Sequence, residues 1–203
     1  MADGLWGWLL AALMTPVLAV QQVPGPPAAT EAASPPRFPV HAPASVVHYT
    51  PYHHDYPAAD VFAPCGSPVV SPVDGTLLEV DRRDVWDPAT DRGADRGGLS
   101  FSVRGGDGVR YYGSHLRRLR TGRRAGQAVR AGEVLGRVGD TGDAAGIACH
   151  LHFGISPPCR GTGDWRVRRG AVAPYRFLRS WQRGGELSPA GAVRRWERRH
   201  PCG

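Results

Sequence analysis

Lysine is absent from this 203-residue sequence: all 25 basic residues are arginine, set against 18 acidic ones for a formal charge of +7. A bias that complete is read as GC-rich coding rather than a functional demand. Long apolar runs are also scarce. The longest, Leu5 to Val20, is shorter than the roughly 20 residues a helix needs to cross a hydrocarbon core about 30 Å thick, which excludes a multi-span membrane protein. No Cys-x-x-Cys spacing occurs among the four cysteines, so nothing supports a thiolate-bound zinc. No internal repeat is visible. What is plentiful is glycine (27) and proline (19), a composition of short strands joined by many turns rather than of a helical bundle. Hydrophobic residues at 41% and charged residues at 21% exclude wholesale disorder and leave enough chain for one domain with a core, or one domain with a tail. The basic balance suits an anionic partner, and charge alone does not choose among nucleic acid, anionic lipid and wall polymer.

Four segments follow from the texture. Residues 1–20 read as an export signal, with Val17-Leu18-Ala19 as the small-residue cleavage site, although Asp3 and the lack of a basic residue make a poor leading region. Left uncleaved, the same segment would be a membrane anchor. Residues 21–45, rich in Pro and Ala, carry too few large apolar side chains to offset their ordering entropy and read as an extended linker. Residues 46–160 form the principal domain. Residues 161–203 form a helical extension expected to cover one end of a sheet.

Within the domain, Ser67–Val70 and Thr76–Val80 read as strands with Val73-Asp74-Gly75 turning between them. Leu99–Val103 and Val109–Tyr112 form a hairpin across Gly105-Gly106-Asp107-Gly108. Short Val/Leu pieces fill 126–138, and His150–Ile155 is a last strand. Asp84–Gly98 reads as an exposed polar loop beside the site. In the extension, Phe177, Leu178 and Trp181 fall at helical spacing. Ser188-Pro189 opens a second helix with Val193 and Trp196 on its buried side.

The chemistry lies in the eight histidines. His41, His48 and His200 sit in the linker, at the domain edge and at the terminus, where ordinary polar roles suffice. The others cluster at His53-His54, His115 and His150-x-His152. Residues i and i+2 of a strand share a face, so His150 and His152 converge on one side of the sheet. Two such histidines are often mere surface residues. Joined by Asp60, which stands before the apolar Val61-Phe62, they have the composition of a borderline-hard metal site.

Asp60-Val61-Phe62-Ala63-Pro64-Cys65-Gly66-Ser67-Pro68-Val69-Val70, followed by Pro72-Val73-Asp74-Gly75-Thr76, resembles the lysostaphin-type (LytM-domain) zinc endopeptidases. Tyr112-Gly113-Ser114-His115-Leu116, Gly132–Gly142 and His150-Leu151-His152-Phe153 continue the likeness in order over about residues 46–156. The resemblance implies a mainly β fold: a small antiparallel β-sheet or sandwich of the duplicated-hybrid-motif kind, with a groove. It implies one zinc per chain, held by His54, Asp60 and His152 with a fourth position open to water. His115 and His150 would then serve proton transfer and oxyanion stabilisation. The implied substrate is the peptide stem or cross-bridge of bacterial peptidoglycan, met in the wall as a secreted monomer, with anionic wall polymers as a second partner.

Two departures stand out. The family's first His lies four positions before the Asp, whereas His54 is six before Asp60 and Pro57 takes the place of a Gly; His53 is the alternative ligand. The middle motif carries an extra residue between tyrosine and His115. Three function classes remain: a zinc-dependent wall hydrolase, a catalytically silent wall-binding or hydrolase-activating domain, and a nucleic-acid binder. The last rests only on Arg117-Arg118-Leu119-Arg120 and Arg123-Arg124, which lack interleaved aromatics for base stacking, so no nucleic acid is expected. An exported chain with four cysteines should carry two disulfides in one of three pairings; Cys65–Cys149 with Cys159–Cys202 is the expected set.

Overall fold

The computed structural model describes Met1, residues 34–159 and residues 164–202. The expected leader and the first part of the linker lie outside the described residues. Nine antiparallel strands appear among them: β1 (Ala58–Phe62), β2 (Pro68–Val70), β3 (Gly75–Asp81), β4 (Ser100–Gly105), β5 (Arg110–Ser114), β6 (Leu116–Leu119), β7 (Ala128–Val129), β8 (Val134–Val138) and β9 (His150–Ser156). A six-stranded sheet runs β1-β9-β5-β4-β3-β7, and a three-stranded sheet runs β2-β8-β6. The fold is therefore mainly β and antiparallel.

The β4–β5 hairpin forms where the glycine-rich turn places it. The turn at 73–75 behaves differently from its sequence reading. β2 pairs with β8 and β3 with β4 and β7, so the chain passes between sheets instead of folding back on itself. The chain also changes sheets at His115, between β5 and β6, and again between β8 and β9. These crossings bring residues remote in sequence to one end of the large sheet.

One apolar cluster holds both sheets together. Along β9, Leu151, Phe153 and Ile155 are fully buried on one face, with Val61, Leu77, Phe101, Val103 and Tyr111 in the same cluster. The period-two alternation of a strand then commits His150, His152 and Gly154 to the opposite face. Helix α2 (Tyr175–Gln182) adds Phe177, Leu178 and Trp181 to the core, the Trp181 ring meeting Tyr111 and Phe153 at 6.1 and 6.3 Å between centroids. Helix α3 (Ala190–Arg199) buries Val193, while Trp196 is only half-buried and stacks on His200.

Two further features depart from the sequence reading. The stretch 34–45 is extended but is no linker: Val40 is buried and bridged to Val69, and Ser34 N–H donates to Asp74 at 2.8 Å. Backbone pairing with an exposed strand edge orders it despite its meagre side chains. A third helix, α1 (Trp165–Arg168), lies across the histidine-bearing face of β9. It comes so close because β9 offers glycine there: a Cβ on Gly154 would stand 2.3 Å from the Arg169 carbonyl oxygen. The other end of α1 is held by Arg110, whose buried guanidinium donates to Asp164 at 2.8 and 3.0 Å. Both expected disulfides are present, Cys65–Cys149 joining the segments after β1 and before β9, and Cys159–Cys202 tying the chain end to the domain.

Candidate metal centre and active site

Strand register assembles the site. Asp60 on β1 and Ser114 on β5 are both direct partners of His152 on β9, and Phe62 is the partner of His150. Directly opposed residues share a face at close range, so Asp60 Oδ1 comes to 2.9 Å from His152 Nδ1. His150 Nε2 stands 4.0 Å from the same carboxylate oxygen. His115 arrives by the sheet crossing. Its φ of 62° places it in the left-handed region, uncommon for a side-chain-bearing residue, and this turns its ring toward His150 at 5.0 Å between centroids.

The loop before β1 contributes the His53-His54 pair. His53 is buried, its Nε2 3.6 Å from Asp60 Oδ2. His54 is exposed, pairs with Asp55 at 3.4 Å and stacks on His53 with 4.1 Å between ring centroids. One donor atom from each of His53, His54 and Asp60 lies within 4.8 Å of the others. The structure thus gathers Asp60, His115, His150 and His152 as expected from sequence, with His53 inside the cluster and His54 at its mouth. Together these residues line a cavity of about 200 Å³ with Phe62, Arg96, Asp143 and Arg169.

Backbone carbonyls set the imidazole protons. A carbonyl only accepts, so the contacts of Thr141 O with His115 Nδ1 at 2.8 Å and of Ala148 O with His150 Nδ1 at 2.9 Å put a proton on each Nδ1. Each ring then turns its Nε2 toward the cavity. For His152 the logic is reversed: Arg169 O lies 2.9 Å from Nε2, which must therefore donate. His152 Nδ1 faces the Asp60 carboxylate at 2.9 Å, so either a proton or a cation has to lie between these two atoms.

Burial, reinforced by the neighbouring His152, brings His53 down to about 4. Burial with His152 and His150 brings His115 down to about 3, so both rings are neutral at neutral pH. Burial pushes Asp60 up, but the hydrogen bond and charge of His152, with His53 and His150, prevail and bring it down to about 2. Burial raises Asp143, which lies 3.8 Å from His115 Nε2.

A divalent cation fits these donors. Asp60 Oδ1 and His152 Nδ1, 2.9 Å apart, can share a proton or be bridged by a positive ion that replaces it. The 2.9 and 3.6 Å separations at Asp60 bracket the roughly 3.3 Å expected between tetrahedral ligands at about 2.0–2.1 Å from zinc. Neutral imidazoles plus a carboxylate suit zinc's borderline character, and the Arg169 carbonyl on Nε2 is the outer partner that fixes a metal-binding tautomer.

Four contributors escaped the sequence reading. Tyr56 occupies the position four before Asp60; its hydroxyl is 3.4 Å from His152 Nε2, and burial raises its pKa so that it stays a phenol. Arg169 comes from the C-terminal extension, where no motif marks it. Asp143 and Thr141 follow a glycine-rich stretch whose likeness was visible but whose individual roles were not.

The sequence model of Peptidase family M23 matches residues 54–163. A curated relative, the L-Ala--D-Glu endopeptidase of Bacillus subtilis (strain 168), is 30% identical over 129 residues, 61% of this chain and 34% of that protein. The chain thus spans about a third of that relative's length. A structure from Ruminococcus gnavus ATCC 29149, designated a glycyl-glycine endopeptidase LytM, aligns with TM-score 0.54 and 23% identity, covering 74% of this chain and 62% of that one. The catalytic domain of lysostaphin from Staphylococcus simulans aligns with TM-score 0.48 and 25% identity, covering 65% and 89%.

Proposed function

Because the chain belongs to Peptidase family M23, we propose that it is a zinc-dependent endopeptidase that cuts peptide stems or cross-bridges of bacterial peptidoglycan outside the cytoplasm. The observation that carries this reading is the convergence of Asp60, His152 and the His53–His54 pair as donors beside two histidines whose Nε2 atoms open on the same cavity. The endopeptidase named among the relatives supports the substrate class. Two disulfides support an oxidising compartment.

Asp60 and His152 hold the metal from adjacent strands, and the His53–His54 pair supplies the third protein ligand, with burial against Asp60 favouring His53 over His54. Bound there, zinc supplies Lewis-acid polarisation of the scissile carbonyl and a lowered pKa for the attacking water. His150 and His115, each with a proton held at Nδ1, take up the proton of the attacking water at Nε2 and deliver it to the departing amine. Once protonated at Nε2, either ring also donates to an oxyanion, and the nearby Asp143 steadies the charge on His115. The Thr141 and Ala148 carbonyls keep both rings from rotating out of register.

The test is metal analysis of gently purified protein together with digestion of purified sacculi, followed by mass spectrometry of released muropeptides. The expected result is one zinc per chain and new amino termini within the peptide moiety. A chain that binds zinc stoichiometrically and releases nothing from sacculi of several compositions would overturn the enzymatic reading in favour of a wall-binding one.

A further inference from the structure

The cavity at the histidine cluster is lined by two guanidinium groups, and they are not equivalent. Arg96 is already committed: its Nε donates to Asp91 at 2.8 Å, its NH2 pairs with the same carboxylate, and Asp143 lies 3.9 Å away. Arg169 is different. Its side chain lies over the Tyr56 ring at 4.9 Å, and no carboxylate stands within ion-pair distance of it among the described residues. Its charge nevertheless reaches into the site, where it bears on His53, Tyr56 and Asp143.

Three contacts fix the backbone that carries that guanidinium. The Arg169 carbonyl accepts from His152, fixing the backbone directly over β9. Gly154 leaves the room for this approach. Asp164 anchors the start of α1 to Arg110. A half-buried guanidinium that rests on an aromatic ring and has no carboxylate in ion-pair contact among the described residues is suited to bidentate recognition of a planar carboxylate. It stands beside the donors that would position the scissile bond, so the carboxylate it meets belongs to a residue adjoining that bond.

We propose that Arg169 is a specificity residue forming a carboxylate subsite, so that the preferred substrate is an acidic stem peptide whose residue next to the scissile amide carries a free, unamidated carboxylate. This rests on the endopeptidase reading above and deepens it. Arg169 acts on binding more than on chemistry, since its side chain is placed to hold the substrate and not to move a proton.

The experiment uses two synthetic stem peptides identical except for carboxylate against carboxamide at that residue. Cleavage by the full chain should favour the carboxylate about 10- to 100-fold in kcat/KM, chiefly through KM, the range given by an ionic contact in a partly hydrated site. Arg169→Ala should erase the preference, Arg169→Lys should retain part of it, and Arg194→Ala on α3 should leave it intact as a control for net charge. Calorimetric titration of both peptides into a His150→Ala variant reads binding without cleavage and should show the same ratio. Equal cleavage of the two peptides would overturn the subsite while leaving the peptidase reading standing. No cleavage of either, with binding that still discriminates through Arg169, would do the reverse. Failure of the His150→Ala variant to bind either peptide, or a ratio unmoved by Arg169→Ala, would refute the subsite.

Discussion

Asp164→Ala should be among the most destabilising single changes in the chain, although Asp164 lies outside the cavity. Its carboxylate receives two hydrogen bonds from Arg110, at 2.8 and 3.0 Å, and the Arg110 side chain is only 2% exposed. Removing the carboxylate leaves a buried guanidinium with the Cys159 carbonyl as its one remaining polar partner. Breaking a buried pair from one side costs about 3–5 kcal/mol, because the surviving charge is desolvated without compensation. The pair itself is worth less than that: Arg110→Met combined with Asp164→Leu, which removes both charges, should recover most of the loss. Urea unfolding of the wild type, Arg110→Met, Asp164→Leu and the double variant gives the coupling directly, with Asp164→Ala measured beside them. The site should feel the change too, because α1 is released at one end and the Arg169 carbonyl that orients His152 is at the other. An Asp164→Ala cost below about 1 kcal/mol would refute the reasoning, since it would mean that Arg110 finds water or another acceptor without penalty.

Other substitutions probe different links. His152→Ala should lose both zinc and activity, whereas His150→Ala should keep most of its zinc while its rate falls by about two to four orders of magnitude; equal zinc loss in metal analysis of the two would refute that division of roles. His53→Ala should lose more zinc than His54→Ala, because only the His53 ring is buried against Asp60; the opposite ranking would hand the ligand position to His54. Opening Cys65–Cys149, which spans a sequence separation of 84, should cost about 4–5 kcal/mol by loop entropy, read as a shift in unfolding midpoint between the oxidised wild type and a Cys65→Ser/Cys149→Ser variant that keeps the second disulfide; an unchanged midpoint would contradict it. Asp74 is held below the usual carboxylate range by the backbone N–H groups of Ala131 and Ser34. Its contribution is therefore full above about pH 4 and fades as pH falls through its folded value, so the gap between wild type and Asp74→Ala in urea titrations should close in acid. A gap that widens in acid would reverse the sign.

Much of this architecture was legible because strand and motif signals are local. The β4–β5 hairpin, the His-x-His strand and the α2 and α3 helices follow from alternation, glycine turns and helical spacing within a dozen residues. The sheet partners of β2 and β3 were not legible. A Val-Asp-Gly turn reads the same whether the two strands pair with each other or part into separate sheets, and the choice is made by distant β8 and β4. The 34–45 stretch failed for a related reason: its composition predicts little burial, but an edge of β2 and the Asp74 carboxylate pair with its backbone, which composition does not record.

The site divides along the same line. Asp60, His115, His150 and His152 were visible as residue types in motifs, and strand register makes their convergence a consequence of pairing β1 and β5 to β9. Arg169 was invisible because nothing in its neighbourhood distinguishes it from the other arginines of the extension. Its position depends on an absence, the missing side chain of Gly154, and on a salt bridge 59 residues from the arginine in sequence, if counted from Arg110. A single short segment therefore joins three tasks: it covers the histidine-bearing face of β9, it supplies the acceptor that leaves His152 Nδ1 free for a metal, and it presents an unpaired cation to the substrate. Coupling of this kind has a consequence that separates it from three independent contacts. Loosening α1 at Asp164 should weaken zinc retention and carboxylate preference together, whereas Arg169→Ala, which keeps the backbone carbonyl, should lose only the second. Zinc retention under chelator challenge, measured beside the carboxylate-to-carboxamide ratio in both variants, reads the two effects separately; an Asp164→Ala protein that retains both would show that α1 holds its place without the Arg110 anchor.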